Sequence, residues 1–414
     1  MPNSLKKITK NIFSNSNVLA ISITNALWRA CSNGWRPYWP LYLKQDLGAS
    51  IAMIGILSTI QLASQLFFQI PGGVLADKIG RKKVIVVGTV IRLFPPIIYL
   101  LATNWIHVVP ALLIEALRSI YQPAVNAIIA DSLPPKQRGT GYGAYRMITT
   151  SPRLIMPIIG GIAMDAMGYK KGIKVFLIAN IIAILVALYI RAKFIKETLV
   201  KKEQQMNIKK TIYSVFDVPR TIWVIVLFSA ISSFALRIVM PFINIYAIEI
   251  IGLTNTQLGL VETSIGFLST FLSVPGGMLA DRVGRKPIIL FTSCITPLTR
   301  WGIIFVSGFW QYLLLQSVNS IGMIIGGAEG VLEMVAGPAW EALVADLVPR
   351  EKRGTIRGII DTFTLLVGAP SSWIGGYIWQ YYTPQAPFQL SLILGILGVL
   401  IFSIFVQEPI KREE

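Results

Sequence analysis

The 414-residue chain has one histidine, His107, and two cysteines, Cys31 and Cys294. With so few of them, and both cysteines inside apolar segments, a His-based metal site, a Ser-His-Asp triad and a disulfide are not expected, nor is a metal or other cofactor. Charge is scarce as well, at 14% of residues, and acid is scarcer than base: 20 Asp and Glu against 38 Lys and Arg. Soluble domains carry about 25% charged residues, so too little polar surface exists here to cover a chain that is 54% hydrophobic. No G-x-x-x-x-G-K-[ST] loop is present, which argues against an ATP-driven pump. No nucleophile–base pair stands at useful spacing, so an enzyme is not expected.

What is present is apolar sequence in long runs. Segments near 18–43, 51–76, 84–103, 107–130, 140–167, 174–195, 220–250, 256–280, 287–308, 311–345, 355–382 and 387–406 each suffice for a helical crossing. Helices satisfy their own backbone inside lipid, so the predicted fold is all-α, with twelve transmembrane helices. The net charge of +18 lies in alternate short loops, including Lys78–Lys83, Arg191 to Lys210, Arg282–Lys286 and Arg350–Arg353. That is the positive-inside pattern of a multi-pass cell-membrane protein with both termini cytoplasmic. The Lys170-Lys171-Lys174 cluster runs against it. No nucleic-acid role follows, because the basic groups flank apolar spans and build no separate domain.

The second half repeats the first. Pro37, Tyr42, Gly48, Gly55, Pro71 to Gly73, Asp77 and Gly80 to Lys82 recur 204 residues later, as Pro241, Tyr246, Gly252, Gly259, Pro275 to Gly277, Asp281 and Gly284 to Lys286. Pro123, Asp131, Pro134, Arg138 to Thr140, Gly143 and Gly160-Gly161 recur 215 residues later. The change of offset places an insertion of about eleven residues around spans nine and ten, making span ten long or interrupted. The predicted organisation is a six-helix bundle over 1–195, a polar, Lys-rich cytoplasmic linker over 196–219, and a second six-helix bundle over 220–414.

The segment Gly73-Val74-Leu75-Ala76-Asp77-Lys78-Ile79-Gly80-Arg81-Lys82 and its copy from Gly277 each close one span and turn sharply into the next. Gly80 and Gly284 permit the turn, and Asp77 can pair with Arg81. With this signature, its duplicate and the six-plus-six repeat, the chain resembles the major facilitator superfamily of secondary transporters over nearly its whole length. The resemblance implies two pseudo-symmetric bundles and alternating access to a central cavity. It also implies a cytoplasmic gate of Asp77, Arg81, Asp131 and Arg138, with Asp281, Arg285, Asp346 and Arg353 in the second half. Gly143, Pro157, Gly160 and Gly161 fit the family's antiporter spacing, with Pro152 and Met156 at two glycine positions. Arg118 with Gln122 loosely resembles the basic motif of drug–proton antiporters.

Ionisable residues inside spans are costly and mark function. Helical spacing collects Arg29, Asn33 and Arg36 on span one, Gln61 on span two, Glu115, Arg118 and Gln122 on span four, and Arg146 and Arg153 on span five. With Arg237, Glu329 and Glu333 they form the candidate substrate cavity. Arg92 and Glu262 are also charged within spans, Glu262 nearer the outer surface. Trp28 and Trp35 straddle the polar stripe of span one. Proton coupling needs a carboxylate with a movable pKa; Glu329 and Glu333, one turn apart, come first, then Asp361 and Glu115. The arginines suit an anionic or zwitterionic solute. The expected function is proton-coupled efflux of a small organic solute by a monomeric transporter in the bilayer. The alternative is an importer or facilitator of an organic anion.

Overall fold

A computed structural model describes residues 15–133, 138–199, 220–326, 338–348 and 353–406. Every regular element among them is helical. In the first half these are α1 (Ser16–Trp35), α2 (Trp39–Gln45), α3 (Ile51–Ile79), α4 (Arg81–Ile91), α5 (Phe94–Leu101), α6 (Val108–Ala116), α7 (Arg118–Ser132), α8 (Arg138–Thr150) and α9 (Met156–Phe194). The second half has α10 (Arg220–Arg237), α11 (Ile243–Glu249), α12 (Asn255–Val283), α13 (Arg285–Gly302), α14 (Phe309–Gly326), α15 (Pro338–Leu347), α16 (Arg353–Tyr381) and α17 (Ala386–Phe405). Six stretches of the described residues are long and apolar enough to cross a membrane. One of them, Gly141–Phe194, holds two predicted spans, separated where Gly168 leaves helical geometry at φ +73°.

Several spans are interrupted, and proline marks most of the breaks. Pro37 lies in the 3-10 turn Arg36–Tyr38, Pro95 opens α5, and Pro152 lies in the 3-10 turn Ser151–Leu154. Proline cannot supply the amide that a continuous helix requires. Each break leaves terminal carbonyls that favour a nearby cation. An arginine stands at each: Arg36 just past α1, Arg92 capping α4, Arg118 just after the α6 C-cap, Arg153 in the turn after α8, and Arg237 ending α10.

Contacts divide the chain into two compact units. Met1–Ala49, Ile60–Lys202 and Thr254–Thr263 form the first; Ser50–Thr59, Glu203–Leu253 and Ser264–Glu414 form the second. Each unit therefore takes ten residues from the other half of the sequence. Those segments are the first turns of α12 and α3, and each is capped. In the first unit Asp165 accepts from the Asn255 and Thr256 amides at 3.1 and 2.8 Å. In the second, Gln380, the repeat equivalent of Asp165, accepts from the Ala52 amide at 3.0 Å.

The duplication read from polar residues extends to the apolar cores. Val18, Ile21, Val84, Ile85, Ile128 and Leu133 are buried together in the first unit. Their repeat equivalents Ile222, Ile225, Ile288, Ile289, Leu343 and Val348 are buried together in the second. A Cβ on Gly160 would collide with the Gly34 carbonyl oxygen, and one on Gly375 with the Ile238 carbonyl oxygen, again equivalent positions. Such backbone approach holds helices together where lipid removes the hydrophobic driving force.

Candidate functional site

The turns entering α4 and α13 are built on Gly80 at φ +100° and Gly284 at φ +106°, a region that side-chain-bearing residues avoid. Arg81 then forms an ion pair with Asp131 at the end of α7. Its equivalent Arg285 pairs with Asp346 on α15. The loop signature in each unit is thus tied to the end of that unit's fourth span. The side chains of Asp77, Arg138, Asp281 and Arg353 lie outside the described residues, so the Asp77–Arg81 pair is not described.

One contact at this loop was not legible in the sequence. The Glu197 carboxylate accepts from the backbone N–H of Lys82 at 2.9 Å and of Thr198 and Leu199 at 3.0 Å each. Arg81 donates to the Thr198 hydroxyl at 3.2 Å. Burial would raise the Glu197 pKa, but the amides of Leu199, Lys82, Thr198 and Arg81 outweigh it and hold the carboxyl below its usual 4.5. A depressed folded-state value gives stability that is complete above the unfolded value and fades as pH falls through the folded one. We expect Glu197→Ala to cost about 0.5–1 kcal/mol at neutral pH, small because the group is exposed. In thermal unfolding, that deficit should shrink as the pH is taken below 4.5; an undiminished deficit in acid would assign it to packing.

The first unit holds a cavity that opens partly to solvent; its empty space, that open solvent included, is about 460 Å³. Its walls come from α1 and the turn after it, α4, α5, α6, α7 and α9. Trp28 is surrounded by positive charge: the guanidinium carbons of Arg92, Arg118 and Arg36 stand 3.5, 4.9 and 5.2 Å from its ring centroid. Each cation–π contact contributes about 0.5–2 kcal/mol, and together they bring three like charges onto one indole. Arg36 Nη2 reaches Glu115 Oε1 at 2.8 Å, and the Tyr99 hydroxyl donates to Glu115 Oε2 at 3.1 Å. Arg92 Nη1 donates to the Tyr121 hydroxyl at 2.6 Å. Asn180 on α9 donates to the Ser32 hydroxyl at 3.0 Å.

Arg36, Glu115 and Arg118, singled out by the charge pattern, line one cavity together with Trp28 and Trp35. Arg29, Asn33, Gln61 and Gln122 are half-buried in the first unit but are not among the cavity-lining residues. Gln122 instead donates to Asn126 at 3.3 Å. Arg153 lies 3.8 Å from Glu262, so these two charges form an ion pair. Arg237 is buried in the second unit and donates to the Ser233 hydroxyl at 2.8 Å. Asp361 faces Arg357 one turn away at 3.3 Å. Glu329 and Glu333 lie outside the described residues.

Sequence reasoning did not place Arg92, Tyr99, Tyr121 or Asn180 in the site. Arg92 carried a signal as an in-span charge, but no polar stripe accompanies it on α4. Arg191 is a correction. Read as the first residue of a basic loop, it is only 1% exposed and donates to Thr24, Thr89 and Asn25 at 3.0, 2.8 and 2.8 Å. Its guanidinium ties α1 to α4 and α9.

The sequence profile of the Major Facilitator Superfamily matches residues 21–236 and again 225–414. The chain belongs to the major facilitator superfamily. It is a membrane transporter of small solutes with the twelve-helix fold of that superfamily, and not an enzyme. Among relatives, the quinolone resistance protein NorA of Staphylococcus aureus is 23% identical over 388 residues, 91% of this chain and 93% of NorA. The multidrug resistance protein MdtG of Salmonella typhi is 25% identical over 379 residues, 89% of this chain and 88% of MdtG. The solved structure of the nucleoside transporter NupG superposes with a TM-score of 0.76 at 14% identity, covering 94% of this chain and 100% of that one. This superfamily member thus shares with NupG the fold alone.

Proposed function

We propose that this transporter is a proton-coupled exporter of small organic solutes, working as a monomer with both termini in the cytoplasm. The relatives named for quinolone and multidrug resistance support export. The observation that carries coupling is the Glu115 carboxylate held on the cavity wall between Arg36 and Tyr99. A proton on Glu115 cancels the charge that faces Arg36, so one protonation event changes the charge presented to a solute. The Arg81–Asp131 and Arg285–Asp346 pairs, with Asp77, Arg138, Asp281 and Arg353, serve as the cytoplasmic gate. Glu329, Glu333 and Asp361 are the further carboxylates by which a proton could be carried.

A second reading, uptake of an organic anion with a proton, is favoured by the Arg36–Glu115 contact itself. An anion that takes Arg36 leaves Glu115 to be neutralised, so both cross together. Proteoliposomes separate the two, using radiolabelled 4-aminobenzoate and the cationic dye ethidium as probes. Export by antiport predicts that an acidic lumen accelerates accumulation of a transported probe. Acceleration by an acidic exterior establishes the second reading, and indifference to either gradient removes proton coupling.

A further inference from the structure

The cavity around Trp28 carries more unmet polar chemistry than its ion pair explains. Two donors on its wall have no hydrogen-bond partner among the described residues: Arg92 Nη2 and the Trp35 indole Nε1. One acceptor is in the same state, Asn180 Oδ1. Trp35 is only 7% exposed and Asn180 only 3%, so bulk solvent does not satisfy them. Buried polar atoms left without partners cost about 1–3 kcal/mol each, so three on one wall call for an explanation.

Their chemistry is specific. Nη2 of a guanidinium and an indole N–H can only donate, whereas Oδ1 of an amide can only accept. Glu115, the carboxylate of the pocket, is already held by Arg36 and Tyr99, while Arg92 is turned to Tyr121 and the Trp28 ring. Trp28 and Trp35 offer aromatic surface beside the donors.

We infer that this cavity is a binding site for a small aromatic carboxylate that also bears an N–H or O–H donor. The carboxylate takes the Arg92 and Trp35 donors, and the solute's own donor meets Asn180. This rests on the transport reading only for its biological purpose; binding is measurable without transport.

The test is calorimetric titration of the full chain in lipid nanodiscs with 4-aminobenzoate, its methyl ester and 4-methylbenzoate. The ester keeps ring and amine but loses the charge; 4-methylbenzoate keeps the charge but loses the donor. We expect 4-aminobenzoate to bind and the ester to bind at least about tenfold more weakly, the usual worth of a hydrogen bond to a charged group. Arg92→Gln should weaken 4-aminobenzoate by a similar factor, with partial recovery in Arg92→Lys. Asn180→Ala should weaken 4-aminobenzoate and leave 4-methylbenzoate unchanged, a contrast that loss of folding cannot imitate. Equal binding of acid and ester overturns the inference. So does unchanged affinity in Arg92→Gln, or no binding of either acid to protein that melts cooperatively. Intact binding without transport in proteoliposomes supports the site and sinks the transport reading; gradient-driven transport of ethidium alone, with no carboxylate bound, does the reverse.

Discussion

Replacing Glu115 by Gln is expected to reduce gradient-driven transport to that of empty vesicles while solute exchange at equal pH continues. Gln has nearly the same shape, still accepts from Tyr99 and still offers an oxygen to Arg36, but it cannot take up or release a proton. The Arg36–Glu115 pair is partly exposed, with side-chain accessibilities of 28% and 19%. Arg36 therefore keeps some solvent, and the variant avoids the full penalty of stranding a buried charge. The measurement is a paired one on the same proteoliposome preparation, with accumulation under an imposed pH gradient set against counterflow without it. Loss of both would mark Glu115 as a binding residue only. Undiminished driven transport would move coupling to Glu329, Glu333 or Asp361, each open to the same substitution.

The second large effect is steric. Gly160→Ala and Gly375→Ala should each destabilise the protein by about 3 kcal/mol or more, the upper range for overpacking. The added methyl meets a backbone carbonyl oxygen, Gly34 or Ile238, and backbone cannot swing aside as a side chain can. The same change at Gly143 or its equivalent Gly358 meets nothing within 4 Å. There the higher helix propensity of Ala should make it neutral or stabilising by up to about 1 kcal/mol. Four variants carrying one identical chemical change thus divide by geometry alone. Yield of monodisperse protein and thermal midpoint provide the readout; similar behaviour at all four positions would refute the close approach of the helices.

The fold was legible because its signals are redundant. Twelve apolar runs, two offsets and a duplicated loop all agree, and the buried residues of both units obey the same offsets. Sites are written more sparsely. Arg36, Glu115 and Arg118 could be read because a charge inside an apolar run has few explanations. Tyr99, Tyr121 and Asn180 could not, since a neutral polar residue in a span is unremarkable until its neighbours are known. Arg191 was misread for a related reason: at the cytoplasmic edge of a span, a basic residue satisfies the charge rule whether it faces solvent or is buried at 1% exposure. Only the positions of Thr24, Thr89 and Asn25 separate those cases. Glu197 escaped because its bonds go to backbone, and backbone amides carry no sequence signature.

All the described residues that line the cavity belong to one unit, and that has a consequence for how the two halves differ. At the repeat positions of Trp28, Trp35, Arg36 and Asn180 the second half carries Ser232, Val239, Met240 and Gly395. The glycine turns and their ion pairs occur in duplicate, but the chemistry at these four positions occurs in one half alone. A repeat can thus hold its scaffold in two copies and its polar pocket in one.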